Sequence, residues 1–100
     1  MENYSVVLSP TAQRDFIGVI DHINTLPAEE AVQSMDSITE NAKTLSKSPA
    51  SCPYTKDSQL RLRGYRVLAA GDYLFFFVVS GITVEVRRVL SAKRQYERLV

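Results

Sequence analysis

The side chains best suited to chemistry in this chain are cations, and they gather late. The last fifteen residues, VRRVLSAKRQYERLV, hold Arg87, Arg88, Lys93, Arg94 and Arg98 around a single phenol, Tyr96. Arg61, Arg63 and Arg66 form an earlier group in the stretch LRLRGYR. Guanidinium forks match phosphate oxygens, and an aromatic ring can stack on a base, so the combination points to a phosphate backbone. Arg88 is the most telling member. It falls at an inward position of a strand pattern, after Val84 and Val86, where a cation is costly unless paired or at the sheet margin. An ion pair with Glu85 or Glu97 is the bland alternative for it.

The other reactive types offer less. Tyr96 has Leu99 three residues on and could simply pack a last helix. His22 lies far in sequence from the basic half, without the partners that imidazole chemistry needs, and reads as filler. Cys52 is the only cysteine. It has no CxxC partner, so neither an internal disulfide nor a nucleophile is expected, and a reduced cytosol is its natural setting. One His and one Cys make a structural zinc site improbable. No phosphate loop, dinucleotide fingerprint or HExxH pattern is present.

These cations must be held by something. Tyr4–Leu8 reads as a short strand. Ser9 can cap a helix with Pro10 at its first position, and Ala12, Phe16, Ile20 and Ile23 follow at helical spacing. Gly18 inside that helix would be explained by a close helix–helix approach. Pro27 and the Glu29–Glu30 pair start a second helix, with Ala31, Met35, Ile38, Ala42 and Leu45 as its stripe and Ser48–Pro49 as its stop. Only Asn24–Leu26 separate the two, so an antiparallel hairpin is expected. Ala50–Ser58 reads as a loop. The period then becomes two, and the parity flips at Gly64; a β-bulge there would put Arg61, Arg63 and Arg66 on one face of a strand from Leu60 to Val67. Ala70–Gly71–Asp72 is a turn. Tyr73–Val79 has no polar residue and reads as a central strand covered on both sides. Ser80–Gly81 is a hairpin turn, Ile82–Leu90 the next strand, and Ser91 caps a short helix through Arg98. The fold class is α+β: an N-terminal strand, an antiparallel two-helix hairpin, a three-strand antiparallel meander and a short C-terminal helix, in one domain over residues 1–100.

The bulk numbers agree. One hundred residues, 45% of them hydrophobic and nine of them aromatic, suit one modest core. The longest apolar stretch, Tyr73–Val79, is far short of the roughly 20 residues that a membrane helix needs, and no signal peptide is visible at MENYSVVLSP. The formal net charge of +1 hides an asymmetry. Residues 1–55 carry three Lys/Arg against seven Asp/Glu, a net of −4, and residues 56–100 carry nine against four, a net of +5. Two surfaces of opposite sign imply two kinds of partner.

SPTAQRDF entering a helical hairpin, and then GYRVLAAGDYLFFFVVSGITVEVRRVLSAKRQYERLV, resemble the RelE/ParE superfamily, the toxins of bacterial type II toxin–antitoxin pairs. Members commonly show a glycine–aromatic–arginine strand, a tyrosine-led hydrophobic strand and a closing arginine–aliphatic segment followed by two basic residues, an aromatic and leucines. The resemblance implies a cytoplasmic toxin, neutralised by a cognate antitoxin that wraps it as an extended, acidic segment. Of three targets, the basic cluster favours the first, a ribosome-dependent mRNA endonuclease that works on RNA without metal or cofactor. Arg87, Arg88, Lys93, Arg94 and Tyr96 would then be its catalytic set, with Arg61, Arg63, Arg66 and Arg98 binding nucleic acid. The others are a ParE-like inhibitor of DNA gyrase with no nuclease activity, and an inactive relative that keeps only antitoxin binding. Leu74 stands where RelE-type enzymes often carry an arginine.

Overall fold

The computed structural model describes residues 3–92. The chain runs β1 (Ser5–Leu8), α1 (Pro10–Ile23), α2 (Ala28–Lys47), a 3₁₀ turn (Pro49–Ser51), α3 (Ser58–Leu62), β2 (Arg66–Ala70), β3 (Tyr73–Ser80) and β4 (Thr83–Ser91). The strands form one sheet in the order β1-β4-β3-β2. β2, β3 and β4 make the expected antiparallel meander. β1 joins the edge parallel to β4, so the sheet is mixed.

Both long helices lie on one face of this sheet. Ala12, Val19 and Ile23 of α1 and Ile38 and Leu45 of α2 pack on Phe75, Phe77, Val84, Val86 and Val89. Ser9 caps α1 by accepting a hydrogen bond from the Ala12 amide at 3.1 Å. Glu29 and Glu30 occupy the first turn of α2, where the helix dipole favours them. The opposite face carries a second, smaller core of Leu60, Tyr65, Phe76 and Leu90, with Leu74 packed against it. Alternate residues of β3 thus enter different cores, and Phe76 and Phe77 are both 0% exposed. That is why the middle of β3 is wholly apolar: over Phe75–Phe77 the strand has no wet face, and exposure returns only at Val79.

Three expectations are corrected here. The strand expected from Leu60 does not exist: Leu60–Leu62 belong to α3, and β2 begins at Arg66. Asp57 caps α3 through the Leu60 amide at 3.0 Å. Gly64, at φ +83°, ends it. The Tyr65 amide then donates to Leu60 O and the Gly64 amide to Arg61 O, both at 3.0 Å, which is a Schellman motif with its usual apolar contact between Tyr65 and Leu60. The parity flip at Gly64 was therefore a helix end and not a bulge, and Arg61, Arg63 and Arg66 do not share a strand face. The bulge lies instead in β4. Phe76 pairs with Arg88 and Phe77 with Val86, so Arg87 is the extra residue. Finally, Gly18 supports no close helix approach, since nothing lies within 4 Å of where its Cβ would stand. The expected C-terminal helix, with Lys93, Arg94, Tyr96 and Arg98, falls outside the described residues.

Candidate functional site

The Arg87 bulge decides where the β4 arginines go. Unbulged, the alternation Val84, Val86, Arg88 would drive a cation into the helix-side core. The extra residue hands that place to Val89 and sends Leu90 to the opposite core with Phe76. β1 ends opposite Val86, so the edge of β4 beyond it has no strand beside it. The start of α1 fills the gap. The Ser9 amide donates to Val86 O at 2.9 Å, and the Ser9 hydroxyl donates to Arg87 O at 3.2 Å. Asp15 completes the substitution by accepting the Val89 amide at 3.0 Å.

The same Asp15 carboxylate holds Arg88. The guanidinium donates through Nε to Oδ2 at 2.7 Å and through Nη2 to Oδ1 at 3.1 Å. Both side chains are largely buried, 20% exposed for Arg88 and 16% for Asp15. The pairing holds Arg88 more firmly protonated than usual. An ion pair was among the expectations; among the described residues its acid is Asp15 in place of Glu85, while Glu97 lies outside them. Glu85 pairs with Arg87, Nε to Oε1 at 2.5 Å.

Arg87 also leans on Tyr65. Its Nη1 lies 3.4 Å from the phenol oxygen, and its guanidinium carbon 5.7 Å from the ring centroid. The hydrogen bond to Tyr65, then that to Glu85, raises the Arg87 pKa. Arg63 stands 5.5 Å from the same ring centroid. Tyr65 itself is 3% exposed. Two cations thus gather around one nearly buried ring on the face away from the helices. Tyr65 was not singled out in the sequence; its signal was the GYR triplet. Asp15 was missed because it sits off the apolar stripe of α1.

Arg66 goes elsewhere. Its guanidinium carbon lies 3.9 Å from the Tyr54 ring centroid, and its Nη1 donates to Cys52 O at 2.7 Å. Arg61 lies exposed on α3. Of the expected site, the described residues therefore bring Arg63 and Arg87 together at Tyr65, while Arg88, Arg66 and Arg61 are apart from that pair. His22 borders an open cleft of about 580 Å³ between α1 and the ends of β3 and β4, with Arg14, Asp72 and Tyr73. Among the described residues no His, Cys, Asp and Glu cluster could hold a metal ion. None of the described helices is long and apolar enough to cross a membrane.

Comparison with known proteins follows this geometry. The fold is similar to a chain of the chromosomal ParDE toxin–antitoxin system from P. aeruginosa, with 21% identity, a TM-score of 0.66, and 88% of this chain and 95% of that one covered. It is similar also to a chain of the toxin–antitoxin complex RelBE2 from Mycobacterium tuberculosis, with 21% identity, a TM-score of 0.56, and 89% and 98% covered. No curated protein matches. The family model for the ParE toxin of the type II toxin–antitoxin system parDE matches residues 6–96. With that match over nearly its whole length, the chain belongs to the ParE toxins of type II toxin–antitoxin systems.

Proposed function

We propose that this toxin arrests growth by binding DNA gyrase and not by cutting RNA, and that a cognate antitoxin neutralises it. The observation that carries this reading is the commitment of the two β4 arginines. A phosphoryl-transfer site needs cations aimed at the place where charge develops, without reorganisation at the moment of reaction. Arg88 would have to leave Asp15, and Arg87 would have to leave Glu85, before either could clamp a scissile phosphate. Leu74 supports the same reading, being packed into the Leu60–Phe76–Leu90 core at the position where RelE-type enzymes often carry an arginine. The match to the ParE model agrees with it.

One observation favours the endonuclease reading: Arg63 and Arg87 gather beside Tyr65 on the face away from the helices. On that reading Lys93, Arg94 and Tyr96 would complete the set. One experiment separates the two. The toxin is induced, message ends are mapped on translating ribosomes, and the purified protein is assayed against gyrase supercoiling. Blocked supercoiling with intact messages is expected. Codon-positioned cuts that vanish in Arg94→Ala, with supercoiling untouched, would overturn the gyrase reading in favour of ribosomal cleavage. The antitoxin is tested by co-expressing the acidic protein encoded beside the toxin, which should restore growth.

A further inference from the structure

Residues 54–66 leave the sheet and return to it as a closed excursion. Its neck is knit by hydrogen bonds: the Thr55 amide donates to Tyr65 O at 3.1 Å, the Val67 amide donates to Pro53 O at 3.0 Å, and Tyr54 bridges Arg66. Compact loops with closed ends are frequently functional. This one carries Lys56, Arg61, Arg63 and Arg66 against a single acid, Asp57, whose carboxylate caps α3. None of the four cations forms an ion pair among the described residues, whereas both β4 arginines do. No carboxylate of the described residues offsets these four charges, and a polyanion would supply the missing opposite charge.

Two further features identify the polyanion. Tyr54 is 49% exposed although the Arg66 guanidinium lies over its ring, which leaves a flat aromatic surface at the solvent boundary. Leu62, between Arg61 and Arg63, is 88% exposed on a helix of five residues. Aromatic and apolar groups interleaved with unpaired cations are what unstacked bases and their phosphates need. An acidic peptide fits less well, because the neck already occupies the edge of β2 at Tyr65 and Val67, where an added strand would pair. A membrane surface fits less well too, since one exposed leucine on so short a helix buries little area.

We infer that the excursion 54–66 is a binding surface for single-stranded nucleic acid, with Tyr54 and Arg66 as the base platform and Lys56, Arg61 and Arg63 as the phosphate contacts. The surface does not depend on which target the toxin attacks. The test is fluorescence anisotropy of the full-length chain with labelled ten-nucleotide dT and U strands at rising KCl. Three phosphate contacts predict a slope of log K against log salt of about −2. Tyr54→Leu is expected to weaken binding roughly ten-fold without changing that slope. The combined Lys56→Gln, Arg61→Gln and Arg63→Gln variant, altered only at exposed positions, is expected to flatten the slope. A preference for dT or U assigns DNA or RNA. No binding, binding indifferent to both variants, or tighter binding to phosphatidylserine vesicles or a poly-glutamate peptide would overturn the inference.

Discussion

The Asp15 carboxylate accepts three hydrogen bonds, two from Arg88 and one from Val89. Removing one partner of a largely buried pair leaves the other charge uncompensated. Asp15→Ala should therefore lower stability by about 3 kcal/mol, read by urea denaturation. The double variant Asp15→Leu with Arg88→Met should recover much of that loss, because the pair is replaced and not broken. An Asp15→Ala protein as stable as the wild type would show that the pair holds nothing. Cys52 gives a second test. Burial pushes its thiol above the ordinary 9.0, with nearby Arg66 pulling less strongly the other way. A thiol whose pKa is raised on folding keeps its share of stability below pH 9 and loses it as pH climbs through the raised value. Stability should thus fall more steeply above pH 9 in the wild type than in Cys52→Ala. At pH 8 the folded protein should react with a thiol reagent far more slowly than the unfolded chain.

At the scale of elements, the two internal glycines outside the hairpin turns behave oppositely. Gly64 ends α3 in the left-handed region, where a Cβ costs roughly 1–2 kcal/mol. Gly64→Ala should lower the melting temperature and loosen the Leu60–Tyr65 contact, seen as faster hydrogen exchange at the Leu60 amide. Gly18 stands mid-helix with open space around it, so Gly18→Ala should raise stability by about 0.8 kcal/mol through helix propensity alone. A loss on Gly18→Ala would mean that the cleft wall needs the bare backbone. Helices α1 and α2 were legible because their caps and stripes are local: Ser9, Pro10, Pro27 and Ser48–Pro49 mark their ends within a few residues. α3 was not. Five residues show barely more than one turn of periodicity, and Leu60–Arg61–Leu62–Arg63 alternates as a strand would.

At the scale of the molecule, two apolar cores on opposite faces of one sheet explain why a basic chain half carries an all-apolar strand. The sequence by itself determined the α+β class, the helix pair, the β2–β3–β4 meander and the toxin family, because each rests on periodicity, caps, turns or a local motif. Only the tertiary structure decided what the arginines do. The Arg87 bulge depends on how β4 registers against Phe76 and Phe77. Arg88 meets Asp15 across 73 positions of chain, and only because β1 stops opposite Val86 and leaves an edge that α1 must cover. Spacing records what neighbours along the chain can share. The partner of a half-buried charge is set by which strand ends first, and no period in the sequence carries that.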